Sequence, residues 1–185
     1  MTETKERIIE TARELMLTKG FKGFSFNEVA EKVGIRKASI FHYFVSKEKL
    51  GIELIKNDRE RFAGWVKRKE SLETPEEKLE QYFSLLKRLF SSNDQICTLC
   101  ILFAEYTVLP KKMQQEMKGL YNDEIDWISL VLKEGLQTKT YTFKETPEEK
   151  AIFILASLHG IIQTSRLTPD FSIYDIVVKQ LINGL

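Results

Sequence analysis

Thr74-Pro75-Glu76-Glu77 and Thr146-Pro147-Glu148-Glu149 are one helix-start signal written twice. The threonine oxygen can accept from the free N–H groups of a first turn. Proline suits the first helical position, because the N–H it lacks would be unbonded there, and the glutamate can return a bond to the cap. Ser25-Phe26-Asn27-Glu28 has the same Ser-to-Glu spacing, and Ser46 precedes a long amphipathic run. Strand signals are nearly absent. The chain is therefore expected to be all-α, with about nine helices.

The apolar spacing sets their bounds. Ile8, Ile9, Ala12, Leu15 and Met16 recur at three and four residues, predicting a helix from Glu3 to Thr18 with Gly20 as its left-handed cap. Two short helices follow, Phe26 to Val33 and Lys37 to Tyr43, with Gly34 between them. Longer ones are expected over Lys47 to Lys69 and Pro75 to Phe90. After a loop at Ser91-Ser92-Asn93-Asp94, another should run to Val108. Pro110 opens the next, to about Leu136. The last two run from Pro147 to about Arg166 and from Ser172 to Asn183, separated by a break at Pro169-Asp170.

The 185 residues carry a net charge of only +1, but the charge is unevenly spread. Residues 1–70 hold 16 basic and 11 acidic side chains, and the other 115 hold 12 and 16. A basic first part on an acidic remainder suits a polyanionic partner for the former. The N-terminus is polar, unlike a secretion signal. The richest apolar stretch, Ile152 to Ile162, contains Ser157, His159 and Gly160. A cytoplasmic protein without a membrane partner is expected.

Phe24 to Leu50 carries the chemistry. Two short helices around a glycine-containing turn make a helix-turn-helix. Ala30 is small where the helices approach, and Ile35 and Ile40 fill the angle between them. Lys37, Ser39 and His42 can donate outward, and Ala38 is small enough to lie against a base edge, a mixture suited to the major groove. The start of the next helix, Ser46-Lys47, offers N–H groups and an ammonium to a phosphate. Phe21, Phe24, Phe26, Phe41 and Phe44 are expected in the core.

From Ile8 to Leu50 the pattern G-F-x-x-F-S-x-x-x-V-A-x-x-V-G-I-x-x-x-S-I-F-x-Y-F-x-S-K-E-x-L resembles the tetracycline-repressor (TetR) family. The resemblance implies a DNA-binding domain over residues 1–50, and an effector-binding and dimerisation domain over 51–185. It implies base reading by Lys37, Ala38, Ser39 and His42, a groove or phosphate contact by Asn27, and phosphate clamps at Tyr43 and Lys47. Phe41 stands where the family often has tyrosine, so one backbone contact fewer is expected. His42 also replaces a frequent tyrosine.

The rest of the chain lacks a nucleophile elbow, an HExxH, a P-loop and a dinucleotide fingerprint, and the two histidines of the whole sequence, His42 and His159, lie far apart. No enzyme activity and no cofactor are expected. In the family resemblance this region encloses a small-molecule pocket, with Tyr82, Leu86, Phe103, Tyr106, Trp127 and His159 on its helices and an apolar or aromatic effector as the expected ligand. The last two helices have broad apolar faces. A twofold dimer interface is expected from Leu155, Ala156, His159, Ile162, Gln163, Ile173, Val177, Gln180 and Leu181; the alternative is packing within one chain.

Cys97 and Cys100 share a helix face by spacing. No other cysteine or histidine stands nearby in sequence to complete a metal site, and buried structural thiols are expected. The reading is thus a homodimeric repressor that binds a palindromic DNA operator and releases it on binding an effector. The alternative is a constitutive, activating or thiol-redox-sensing DNA-binding regulator.

Overall fold

The computed structural model describes residues 3–70, 74–91, 97–164, 167 and 172–185. Among them are nine α-helices and no strand: α1 Glu3–Lys19, α2 Phe26–Val33, α3 Lys37–Tyr43, α4 Lys47–Lys69, α5 Pro75–Ser91, α6 Thr98–Phe103, α7 Lys111–Gln137, α8 Pro147–Thr164 and α9 Ser172–Asn183. The expected loop at 92–94 and the break at Pro169-Asp170 lie outside the described residues.

The start signals work as their chemistry requires. Ser25 Oγ accepts from the Glu28 N–H, and Glu28 accepts from the Ser25 N–H at 2.9 Å. Thr74 and Glu77 exchange the same pair of bonds, as do Thr146 and Glu149. Ser46 Oγ accepts from the Lys49 N–H at 3.2 Å.

One expected helix is interrupted. The segment predicted to run to Val108 stops at Phe103, and Tyr106–Val108 forms a short 3-10 turn. Two side chains draw the backbone out of the helix. The Glu105 carboxylate accepts from the Lys22 N–H at 3.1 and 3.2 Å, and Gln114 Nε2 donates to the carbonyls of Tyr106 and Leu109, both at 2.9 Å.

The described residues form two compact units. The first comprises 1–61 and 95–120. In it α1 packs on α2 and α6, and α2 on α3. Its core includes Ile8, Met16, Val29, Ile40, Leu50, Leu54, Leu102 and Met113. A polar cluster sits inside this core. Arg13, 7 % exposed on α1, donates to Asp58 and, at 2.9 Å, to Asn57 Oδ1, both on α4. Thr98, the first residue of α6, donates to the other oxygen of Asp58. Burial pulls the Arg13 guanidinium down to about 10, and Arg61 adds to the effect, so it is still charged at neutral pH.

The second unit comprises 62–94 and 121–185. Here α8 packs on α9. The buried Tyr174 hydroxyl of α9 donates to the Phe83 carbonyl of α5 at 2.8 Å, and Lys87 pairs with Asp175 at 2.6 Å. At the end of α7 the Tyr141 ring lies on Gly135: a Cβ there would stand 2.0 Å from the ring. Burial raises the Tyr141 hydroxyl well above the usual range, reinforced by Glu76, Glu80 and Glu134.

Candidate functional site

The turn between α2 and α3 is built by its backbone. Gly34 adopts φ +76°, a left-handed conformation that disfavours any residue with a Cβ. Its N–H donates to the Ala30 and Glu31 carbonyls, and the Ile35 N–H reaches back to Ala30 at 3.0 Å. This double closure ends α2 and sends the chain into α3 within three residues. Ile40 and Phe44 anchor α3 in the core, fully and almost fully buried.

The opposite side of α3 is open. Lys37, Ala38 and His42 are exposed, Ser39 and Tyr43 half-buried, and Asn27 is exposed in the first turn of α2. The His42 and Tyr43 rings meet edge to face with centroids 5.4 Å apart. Phe41 departs from the expectation that it is a core residue: it is 46 % exposed. With Ile40 and Phe44 holding the inner face of so short a helix, its neighbour points about 100° away from Ile40. Its edge-to-face contact with Phe26, at 5.2 Å between centroids, steadies the ring.

Lys47 faces inward. Its ammonium donates to the Phe24 carbonyl and lies 4.3 Å from the centre of the Phe24 ring and 4.9 Å from that of Phe21. Burial lowers its pKa, against the opposing influence of Glu105. In this arrangement the side chain fastens the start of α4 to the turn that follows α1.

Four of the six expected pocket residues belong to the second unit. Tyr82, Leu86 and His159 are buried and Trp127 is half-buried. Phe103 and Tyr106 belong to the first unit, the former exposed and the latter half-buried. Tyr82 and Trp127 stand in a cluster with Phe62 and Trp65, two aromatics of α4 not singled out from the sequence. Trp65 meets Trp127 at 5.0 Å between centroids, and Tyr82 meets Trp127 at 5.4 Å. The Tyr82 hydroxyl donates to Glu124 at 2.9 Å, and His159 Nε2 lies 3.9 Å from the same carboxylate oxygen. The sequence did hold a signal for Glu124. It falls between Leu120 and Ile128 at four-residue spacing, an acid within the apolar face of α7.

The residues expected at a dimer interface divide into two groups. Leu155, His159, Ile162 and Leu181 are buried within the protomer. Ala156 and Gln180 are exposed, and Gln163, Ile173 and Val177 are half-buried. Ile152, Phe153 and Gly160 share the exposed side of α8 with Ala156, and Ile176 is exposed on α9. Cys97 caps α6, its Sγ accepting from the Cys100 N–H at 3.4 Å, and the two sulfurs lie within 4.8 Å.

No helix among the described residues is long and apolar enough to cross a membrane. Residues 8–54 match the family described as bacterial regulatory proteins, tetR family. The chain is 25 % identical over 176 residues to the HTH-type transcriptional repressor NemR of Escherichia coli (strain K12), covering 91 % of this chain and 87 % of that protein. A TetR-family transcriptional regulator from Agrobacterium tumefaciens superposes with a TM-score of 0.92 at 26 % identity, covering 97 % of this chain and 96 % of that one. A TetR regulator from Legionella pneumophila gives 0.89 at 26 % identity, covering 100 % and 98 %. Residues 8–54 thus form a tetR-family regulatory segment, and over nearly its full length the chain is similar to TetR-family transcriptional regulators.

Proposed function

We propose that the chain is a cytoplasmic, homodimeric repressor that binds a palindromic DNA operator and releases it when a small molecule binds the effector domain. The observation that carries this reading is α3, held from beneath by Ile40 and Phe44 and offering Lys37, Ala38 and His42 to solvent. Lys37, Ala38, Ser39 and His42 read bases; Asn27 and Tyr43 contact the groove or backbone. Lys47 acts on phosphate through the first turn of α4, which it holds in place. Residues 1–50 carry the DNA-reading function and 51–185 the response. The relatives are regulators, in keeping with a protein that catalyses nothing.

Two subunits would pair through the exposed apolar side of α8 (Ile152, Phe153, Ala156 and Gly160) together with Ile176, Val177 and Gln180 of α9. A large exposed apolar patch on a helix pair is the usual mark of a partner surface. The effector would enter among Tyr82, Trp127 and His159, where aromatic walls surround a carboxylate, and would favour a state whose two recognition helices no longer fit successive major grooves.

The test is selection from random duplexes at fixed, near-physiological salt, since affinity for DNA is uninterpretable without it. An enriched palindrome bound by a dimer is the expected outcome, and a ligand that weakens operator binding should itself be weakened by operator to the same factor. Failure of any palindrome to enrich would overturn the reading. An operator affinity indifferent to every ligand would leave a constitutive or activating regulator.

The closeness of Cys97 and Cys100 favours a second, thiol-based trigger. Two thiols would give up two protons and two electrons to a peroxide, which leaves as water, and close a disulfide at the start of α6. Peroxide should then release the operator from the native protein and leave the Cys97→Ser and Cys100→Ser variants bound. Equal release from all three would exclude it.

A further inference from the structure

α3 offers two kinds of side chain to solvent. Lys37 and His42 can donate hydrogen bonds, but Ala38 and Phe41 have nothing polar to offer. Ala38, Phe41 and His42 stand at i, i+3 and i+4, so they share one face of the helix. Phe41 is 46 % exposed, yet its ring rests edge-on against Phe26, which is itself buried. The ring is propped outward at a fixed place. An exposed aromatic costs solvation free energy unless a partner covers it.

The surroundings define that partner. From Lys32 to Ser46 the sequence holds three basic residues, Lys32, Arg36 and Lys37, all exposed, and no acidic one. The face complements a polyanion with apolar features at its surface. In the major groove of a duplex, the apolar group displayed by a base edge is the C5-methyl of thymine.

We propose that Ala38 and Phe41 read thymine methyl groups, so that each operator half-site contains at least one thymine whose methyl lies against the Phe41 ring. This rests on the reading of the chain as a sequence-specific DNA-binding protein. Lys37, Ser39 and His42 select by hydrogen bonding; Ala38 and Phe41 add selection at thymine by excluding water from a methyl. The departure of position 41 from tyrosine to phenylalanine thereby exchanges a phosphate contact for a base contact.

The experiment uses the full chain and the selected operator. Each thymine is replaced in turn by deoxyuridine, which pairs identically and lacks only the methyl. At one or two positions per half-site the native protein should lose about four-fold in affinity, and about 15-fold when both half-sites are changed, as expected for one buried methyl each. Phe41→Ser should bind more weakly and be indifferent to deoxyuridine at the position nearest the ring. The deoxyuridine series on the native protein stands even where that variant folds poorly. If affinity is unchanged by deoxyuridine at every position, the inference is overturned while the operator, already in hand, preserves the underlying reading. If no operator enriches, it is that reading which fails. If the Phe41→Ser variant loses binding to phosphatidylglycerol vesicles and keeps full operator affinity, the face serves a membrane and the inference is likewise overturned.

Discussion

The buried clusters at the centres of the two units differ in kind. In the first, a buried guanidinium, a carboxylate and a hydroxyl join α1, α4 and α6 through directional bonds, and Glu105 grips the backbone at Lys22. In the second, four aromatic rings meet with centroids 5.0 to 6.4 Å apart at varied tilts. Directional bonds accept one arrangement of their partners. Ring pairs accept both offset-stacked and edge-to-face arrangements, so they constrain their partners less tightly. The contrast is between a region that holds one shape and a region that is less tightly constrained to one.

The strongest test removes the centre of the polar cluster. Asp58→Ala leaves the Arg13 charge buried without its main partner, and should lower stability in urea unfolding by about 3–5 kcal/mol. Replacing both partners with apolar residues, as in Arg13→Met with Asp58→Leu, should recover most of that loss. No recovery would mean that the bond geometry does more than satisfy a charge. Next, Tyr82→Phe removes the hydroxyl donor to Glu124 and should cost about 1–3 kcal/mol, measured the same way. Phe62→Leu should cost less than about 1.5 kcal/mol, because a half-buried apolar side chain is exchanged for another apolar one and no polar group is left unpaired. If Phe62→Leu proves more damaging than Asp58→Ala, the contrast between the units collapses.

The smallest effect concerns acid. The Glu28 carboxylate is held below its ordinary pKa, first by its hydrogen bond from Lys19 and then by Ser25. Its folded value lies under its unfolded one, so the contribution is present at neutral pH and is lost as pH falls through that lowered value. Glu28→Gln should flatten the acid limb of a pH–stability curve slightly. An unchanged limb would show that the capping box of α2 adds nothing at this end of the head.

Helix starts were legible from the chain because caps are local: Ser25 with Glu28, Thr74 with Glu77 and Thr146 with Glu149 each need only four consecutive residues. The same holds for the turn at Gly34. What escaped depends on distant partners. Nothing near Glu105 in sequence announces Lys22, so the interruption between Phe103 and Tyr106 could not be foreseen. On α8 the failure has another cause. From Ala151 to Ile162 the helix is apolar nearly all round, so periodicity does not say which side faces inward. Leu155 and Ile162 are buried within the protomer, and Phe153 and Ala156 face out. Arg13 and Glu124 carried a faint signal: each is a charged residue in an otherwise apolar stripe.

The bond from Lys22 to Glu105 spans 83 positions, and this gives the head a history in time. On the ribosome, the segment that reads DNA emerges first, but the side chain that clasps its turn has yet to be made. At about 5–20 residues per second that interval is roughly 4–17 s. Thr98, the second partner of Asp58, is also late. A nascent chain therefore carries an incomplete head until the middle of its sequence has been translated, and a fragment ending at residue 50 keeps the helix-turn-helix without the clasp that completes it.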